Sequence, residues 1–128
     1  MAEMLEIADS AVASPQQLTQ SVLQIAEMLG MNRAELSRVL HLQCGDVGRL
    51  GAVRETLVPD TIPWHQAQLL VRFYRALYAT MRGDGVAMWR WLRRPNAALG
   101  GVPLMLLVDD DQLARVVDSL ASPRSILA

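Results

Sequence analysis

The segment from Met88 to Leu107 constrains this chain more than any other. It makes a helix stop, bend and restart within one short stretch. Asp84 is placed to cap a helix whose apolar positions Val86, Trp89 and Leu92 recur at helical spacing. Pro95 disfavours helical geometry at Arg94 and so ends that helix. Gly100 and Gly101 free the backbone, and Pro103 suits the first turn of a new helix. Trp89 and Trp91 lie two apart and cannot share one helical face. The spacing predicts Trp89 in the core and Trp91 at least partly at an interface. The block brings together no catalytic grouping and reads as a shaped surface.

Helical signals fill the rest of the chain, and no strand pattern survives beside them. Ser14-Pro15-Gln16-Gln17 has the form of a cap with proline at the first helical position and glutamine at the third. The helix after it sets Leu18, Val22, Ile25, Ala26 and Leu29 on one face and ends at Gly30. Asn32 and Glu35 predict a second capping box, before Leu36, Val39 and Leu40. Gly45 to Leu50 reads as a short helix weakened by two glycines, and residues 51–62 as a link. Pro63 opens the longest helix, running to about Met81, with a stripe of Ala67, Leu70, Tyr74, Leu77 and Met81 widened by Val71 and Tyr78. Asp109 to Asp111 are expected to cap a last helix with Leu113, Val116, Val117 and Leu120 inward, stopped by Pro123.

Composition narrows the function classes. A chain of 128 residues, 52% hydrophobic, suits one domain or two small ones sharing a core. Its apolar runs are too short to span a bilayer, and the acidic start does not resemble a targeting signal. The single cysteine, Cys44, precludes an internal disulfide and fits a cytoplasmic protein. Lysine is absent, so all twelve basic residues are arginine. Residues 1–60 hold eight acids against four arginines, giving −4, whereas residues 61–94 hold six arginines against Asp84, giving +5. The basic face of the protein therefore lies mid-chain, where it suits an acidic partner.

The first half also carries the apolar spacing of a helix-turn-helix, in two overlapping registers. Ile25, Leu29, Met31, Leu36 and Val39 satisfy one; Leu36, Leu40, Leu42, Val47 and Leu50 satisfy the other. Spacing alone does not choose between them. In the first, Arg33, Ser37, Arg38 and His41 would face a DNA groove. In the second, the reading helix is Gln43 to Leu50, with Gln43, Cys44, Asp46 and Arg49 outward. Arg33, Arg38, Gln43, Cys44, Arg49 and Arg54 are the candidate DNA contacts. Residues 30–58 hold four arginines against three acids, a small excess that a dimer would double.

No catalytic residue, cofactor site or metal site is assigned. His41, His65 and Cys44 have no metal or triad spacing. Cys44 reads as a small half-buried residue. Asp109-Asp110-Asp111 lacks the alternation and glycine of a calcium loop. Gly100-Gly101 lacks the strand and lysine of a phosphate loop. The chain is expected not to be an enzyme.

Trp91-Leu92-x-x-Pro95-Asn96-x-x-Leu99-Gly100-Gly101-x-Pro103-Leu104-x-x-Leu107 resembles the C-terminal signature of Xre/MbcA/ParS-like antitoxins, well over Ile62 to Leu120. Gly30-Met31-Asn32-x-x-Glu35-Leu36-Ser37-x-x-Leu40 is more loosely similar to the opening of Xre-type repressors, which favours the second register. The resemblance implies an all-α protein with a helix-turn-helix N-terminal region and a small helical toxin-binding domain built on one long helix. The expected division is a flexible arm (1–13), the helix-turn-helix region (14–60), the toxin-binding domain (61–121) and a tail (122–128). The resemblance also implies a type II antitoxin that blocks the active site of an NAD-degrading RES-domain toxin, dimerises and represses its own operon. A stand-alone helix-turn-helix repressor is the alternative. The expected toxin contacts are Arg90, Trp91, Arg93, Arg94, Asn96, Gly100, Gly101 and the tail residues Arg124, Ser125, Ile126, Leu127 and Ala128. The tail departs from the family pattern: relatives more often continue into an R-I-x-x-G-like ending, where this chain has Ser122-Pro123-Arg124-Ser125-Ile126-Leu127-Ala128.

Overall fold

A computed structural model describes residues 14–51 and 55–120. Among them are seven helices: α1 (Pro15–Leu29), α2 (Arg33–Leu40), α3 (Cys44–Gly51), α4 (Ile62–Thr80), α5 (Gly85–Arg93), α6 (Pro103–Val108) and α7 (Leu113–Leu120). The expected all-helical class holds. The only β geometry among the described residues is an isolated bridge between Asn96 and Gly101.

Local chemistry sets the helix ends. Ser14 accepts from the Gln17 amide and Asn32 from that of Glu35, and in both cases the third residue's side chain returns the bond. Each box satisfies two amides that a helix start leaves without partners. Gly30 closes α1 with φ +70. A Cβ there would lie 3.0 Å from Trp89 Nε1 and 3.1 Å from Arg93 Nη2, so glycine answers both backbone and neighbours. His41 closes α2 in the same left-handed region, φ 60. Thr61 caps α4, with Pro63 in its first turn, and Asp84 caps α5.

The spine is α4. It packs most extensively on α7 and α1, then on α2 and α5. Ala67, Leu70, Phe73 and Leu77 meet Leu18, Val22 and Ile25 from α1 and Leu113 and Val116 from α7, all essentially inaccessible. Buried residues of both halves form a single cluster. Polar bonds add to this packing, within the first half and between the halves. Thr19 Oγ1, buried on α1, accepts from the Leu57 amide at 2.9 Å, and Gln66 Nε2 on α4 donates to the Val39 carbonyl at 2.8 Å.

Two expectations are overturned. Trp89 is not core: it is 47% exposed, and Met88 and Leu92 take the buried positions, with Trp91 half-buried beside them. The Asp109–Asp111 run, expected to cap the last helix, instead turns two of its carboxylates to α2. Asp109 pairs with Arg38 and Asp111 with His41, so the run fastens the corner after α6 to α2. Ser37, which only the first helix-turn-helix register would turn to a DNA groove, is buried and donates to the Arg33 carbonyl.

Candidate functional site

On α5 two apolar stripes share nine residues. Met88, Trp91 and Leu92, at i, i+3 and i+4, face the core, where the Trp91 ring lies 6.2 Å from that of Phe73. Trp91 Nε1 is buried with no acceptor among the described residues. The opposite stripe is Val86, Trp89, Arg90 and Arg93, with Arg94 continuing it; Val86 is 61% exposed, and Arg90 and Arg94 are exposed. The Val86–Trp89 periodicity in the sequence is therefore real but points away from the core. An exposed aromatic flanked by arginines is the composition of a protein-binding hot spot.

Arg93 is different from its neighbours. Its Nη2 donates to the carbonyls of Leu29 (2.9 Å) and Gly30 (3.1 Å), and its guanidinium lies 4.1 Å over the Trp89 ring. It therefore caps the C-terminus of α1 and holds the indole, a cation placed against the negative end of a helix dipole.

The loop beyond α5 is closed by one residue. Asn96 donates its amide to the Gly101 carbonyl at 2.9 Å, and its own carbonyl accepts from Gly100 at 2.9 Å and Gly101 at 3.2 Å. Its Oδ1 also accepts from the Leu99 amide at 3.2 Å. Gly100 sits at φ +82, a conformation costly for any side chain-bearing residue. Leu99 is buried, and Arg115 Nη2 on α7 donates to its carbonyl at 2.6 Å. Pro103 then opens α6, with Leu107 buried and Met105 54% exposed. Each position of the tryptophan-to-proline block thus has a structural reason, and together they make a loop fixed in advance of any partner.

Of the expected toxin contacts, Arg90, Arg94, Asn96, Gly100 and Gly101 gather at α5 and its loop, Arg93 turns to α1, and Trp91 faces the core. Arg124, Ser125, Ile126, Leu127 and Ala128 lie outside the described residues. Trp89 and Met105 are exposed large apolar side chains on α5 and α6 that the sequence reading did not single out as contacts. The i+4 placement of Arg93 after Trp89 is the sequence signal for the first; Met105 carries none.

The candidate DNA contacts fall on two helices. Arg33 and Arg38 are exposed on α2, Arg38 Nη1 lying 3.0 Å from Asp109 Oδ1. On α3, Arg49 pairs with Asp46 and, at 3.2 Å, with Glu55, while Gln43 precedes the helix and donates its amide to Asp46. The Cys44 side chain and Arg54 lie outside the described residues. Buried pattern positions and a left-handed turn residue occur in both registers, Gly30 in one and His41 in the other.

Among the described residues no three His, Cys, Asp or Glu side chains group as metal ligands, and no helix is long and apolar enough to cross a membrane. The Tyr74 hydroxyl is pushed above its usual value of 10.0 by burial and then by Tyr78.

Fold and surface together define a helical module with an exposed Val86–Trp89–Arg90 stripe beside a hydrogen-bonded Asn96–Gly101 loop. Residues 76–124 match the family model of the antitoxin Xre/MbcA/ParS C-terminal toxin-binding domain. That segment takes in the end of α4 and all of α5, α6 and α7, and over it the chain is similar to this antitoxin toxin-binding domain. Among curated proteins no relative matches the chain.

Proposed function

We propose that this chain is the antitoxin of a type II toxin–antitoxin pair and neutralises a RES-domain, NAD-degrading toxin by covering its active site. The observation that carries the reading is the match of residues 76–124 to a toxin-binding domain, over the segment whose outward stripe is Val86, Trp89, Arg90 and Arg94. In this reading Trp89 anchors the contact, Arg90 and Arg94 pair with carboxylates around the toxin cleft, and the Asn96–Gly101 loop fixes their angle. The tail Arg124 to Ala128 reaches toward the pocket. The protein acts without cofactor or catalysis, in the cytoplasm, as a homodimer within the complex.

The test is co-expression with an adjacent RES-domain toxin. The full chain restores growth and co-purifies with the toxin. Arg90→Glu with Arg94→Glu weakens the complex about tenfold or more. A chain ending at Ala121 rescues less well than the full length. Failure of the full chain either to rescue or to co-purify sinks the antitoxin reading, and equal rescue by the shortened chain removes the tail from it.

A second reading concerns α1 to α3, whose buried turn pattern supports a helix-turn-helix that represses the protein's own operon. A stand-alone repressor would bind its upstream DNA yet leave a RES-domain toxin active.

A further inference from the structure

Basic side chains of the N-terminal region are partnered in two distinct ways. Arg49 on α3 is held by Asp46 on the same helix and by Glu55 just beyond it. These carboxylates lie within six residues of Arg49 in the chain, so its partners are local. Arg38 and His41, three residues apart at the end of α2, are held instead by Asp109 and Asp111, some seventy positions away in the chain. His41 Nε2 lies 2.8 Å from Asp111 Oδ1 and donates to it, because a carboxylate only accepts. Both His41 and Asp111 adopt left-handed backbone, φ 60 and 53, which aims the two side chains across the gap.

Both pairs are open to water: side-chain exposure is 61% and 43% for Arg38 and Asp109, and 37% and 64% for His41 and Asp111. Exposed pairs of this kind are weak and screened by salt, so another anion can displace them. The outward face of α2 is Ala34, Arg38 and His41, at i, i+4 and i+7: one small residue and two donors on a single helix face. Arg38 and His41 on this face belong to the set that the first helix-turn-helix register turns to a DNA groove, while Ser37 of that set is buried.

We propose that the Asp109–Asp111 corner is an intramolecular substitute for DNA phosphate, occupying Arg38 and His41 so that duplex DNA must displace it to engage α2. The inference rests on the DNA-binding reading and adds to it the register used and the element that restrains it. The restraint belongs to the toxin-binding segment, which places both activities on one mechanical path.

The test uses the full-length protein and fluorescence anisotropy with the duplex immediately upstream of its own reading frame, at two ionic strengths. Asp109→Asn with Asp111→Asn tightens binding about three- to tenfold at low salt. It also steepens the log–log salt slope by about one to two. Asp110→Asn removes one formal charge but takes part in neither pair, and leaves affinity unchanged. Adding Arg38→Gln to the double variant abolishes the gain. Asp111→Gly, suited to the backbone at that position, gives a partial gain and guards against a misfolded double variant. If wild type and the double variant bind alike, the corner restrains nothing while DNA binding stands. An equal gain in Asp110→Asn reduces the effect to net charge and overturns the proposal. If no variant binds duplex at the lower ionic strength, the DNA-binding reading fails and takes this one with it.

Discussion

Two of the seams that join the halves of this protein are built by opposite means. At the seam between α1 and α5, Gly30 lets a helix end approach an indole while Arg93 donates to two backbone carbonyls beneath it. At the seam between α2 and the corner after α6, two side-chain ion pairs meet in open water. The first sets its donor against backbone carbonyls that the end of α1 fixes in place. The second uses flexible side chains whose partners can be exchanged. A fold can thus fasten one edge of a docking domain rigidly and leave the other edge responsive to its surroundings.

The sharpest way to break this contrast is Gly30→Val, which places a branched side chain in left-handed backbone against Trp89 and Arg93. A loss of about 2–3 kcal/mol in urea unfolding is expected. A loss near zero means that the first seam is loose. Arg93→Met is expected to cost about 1.5–3 kcal/mol, with little dependence on salt, because its acceptors are backbone carbonyls. Asn96→Ala comes next, at about 1 kcal/mol, since a single side-chain bond to Leu99 is lost while the backbone bonds stay. Its toxin affinity falls further than its stability if the loop's angle matters. Asp109→Asn with Asp111→Asn costs less than about 1 kcal/mol and nothing measurable at high salt. A larger cost for this pair than for Arg93→Met reverses the comparison.

The smallest effect is one of pH. Tyr74 holds its proton more tightly when folded, through burial and the neighbouring Tyr78. The folded state therefore binds more protons than the unfolded one above the ordinary tyrosine value. Stability from this source is intact below about pH 10 and is lost as pH rises through the higher folded value. Tyr74→Phe flattens that loss in alkaline melting curves and also removes the hydrogen bond to Met28 Sδ.

Helix ends are the most legible part of the chain. Ser14, Gly30, Asn32 and Asp84 act where their local chemistry predicts, and Pro95 and Pro103 bracket the loop as expected. These signals depend on three or four neighbouring residues and survive without tertiary context. The faces of α5 are harder to read. On nine residues, Val86-x-x-Trp89 and Met88-x-x-Trp91-Leu92 are both helical stripes, and only packing on Phe73 decides which goes inward. Partners for Arg38, His41 and Arg93 are illegible because they lie more than sixty positions away, and a charged side chain carries no local mark of its distant acceptor. The prolines and paired glycines mark the docking loop as a bend, but that Asn96 alone closes it is visible only in the fold.

Three tryptophans sit in three different settings: Trp64 buried, Trp91 half-buried against Phe73, and Trp89 in the open under a guanidinium. The protein is consequently wired with its own optical gauge. Collisional quenchers reach Trp89 first, so a toxin that covers the stripe protects that emission while the other two indoles serve as an internal reference.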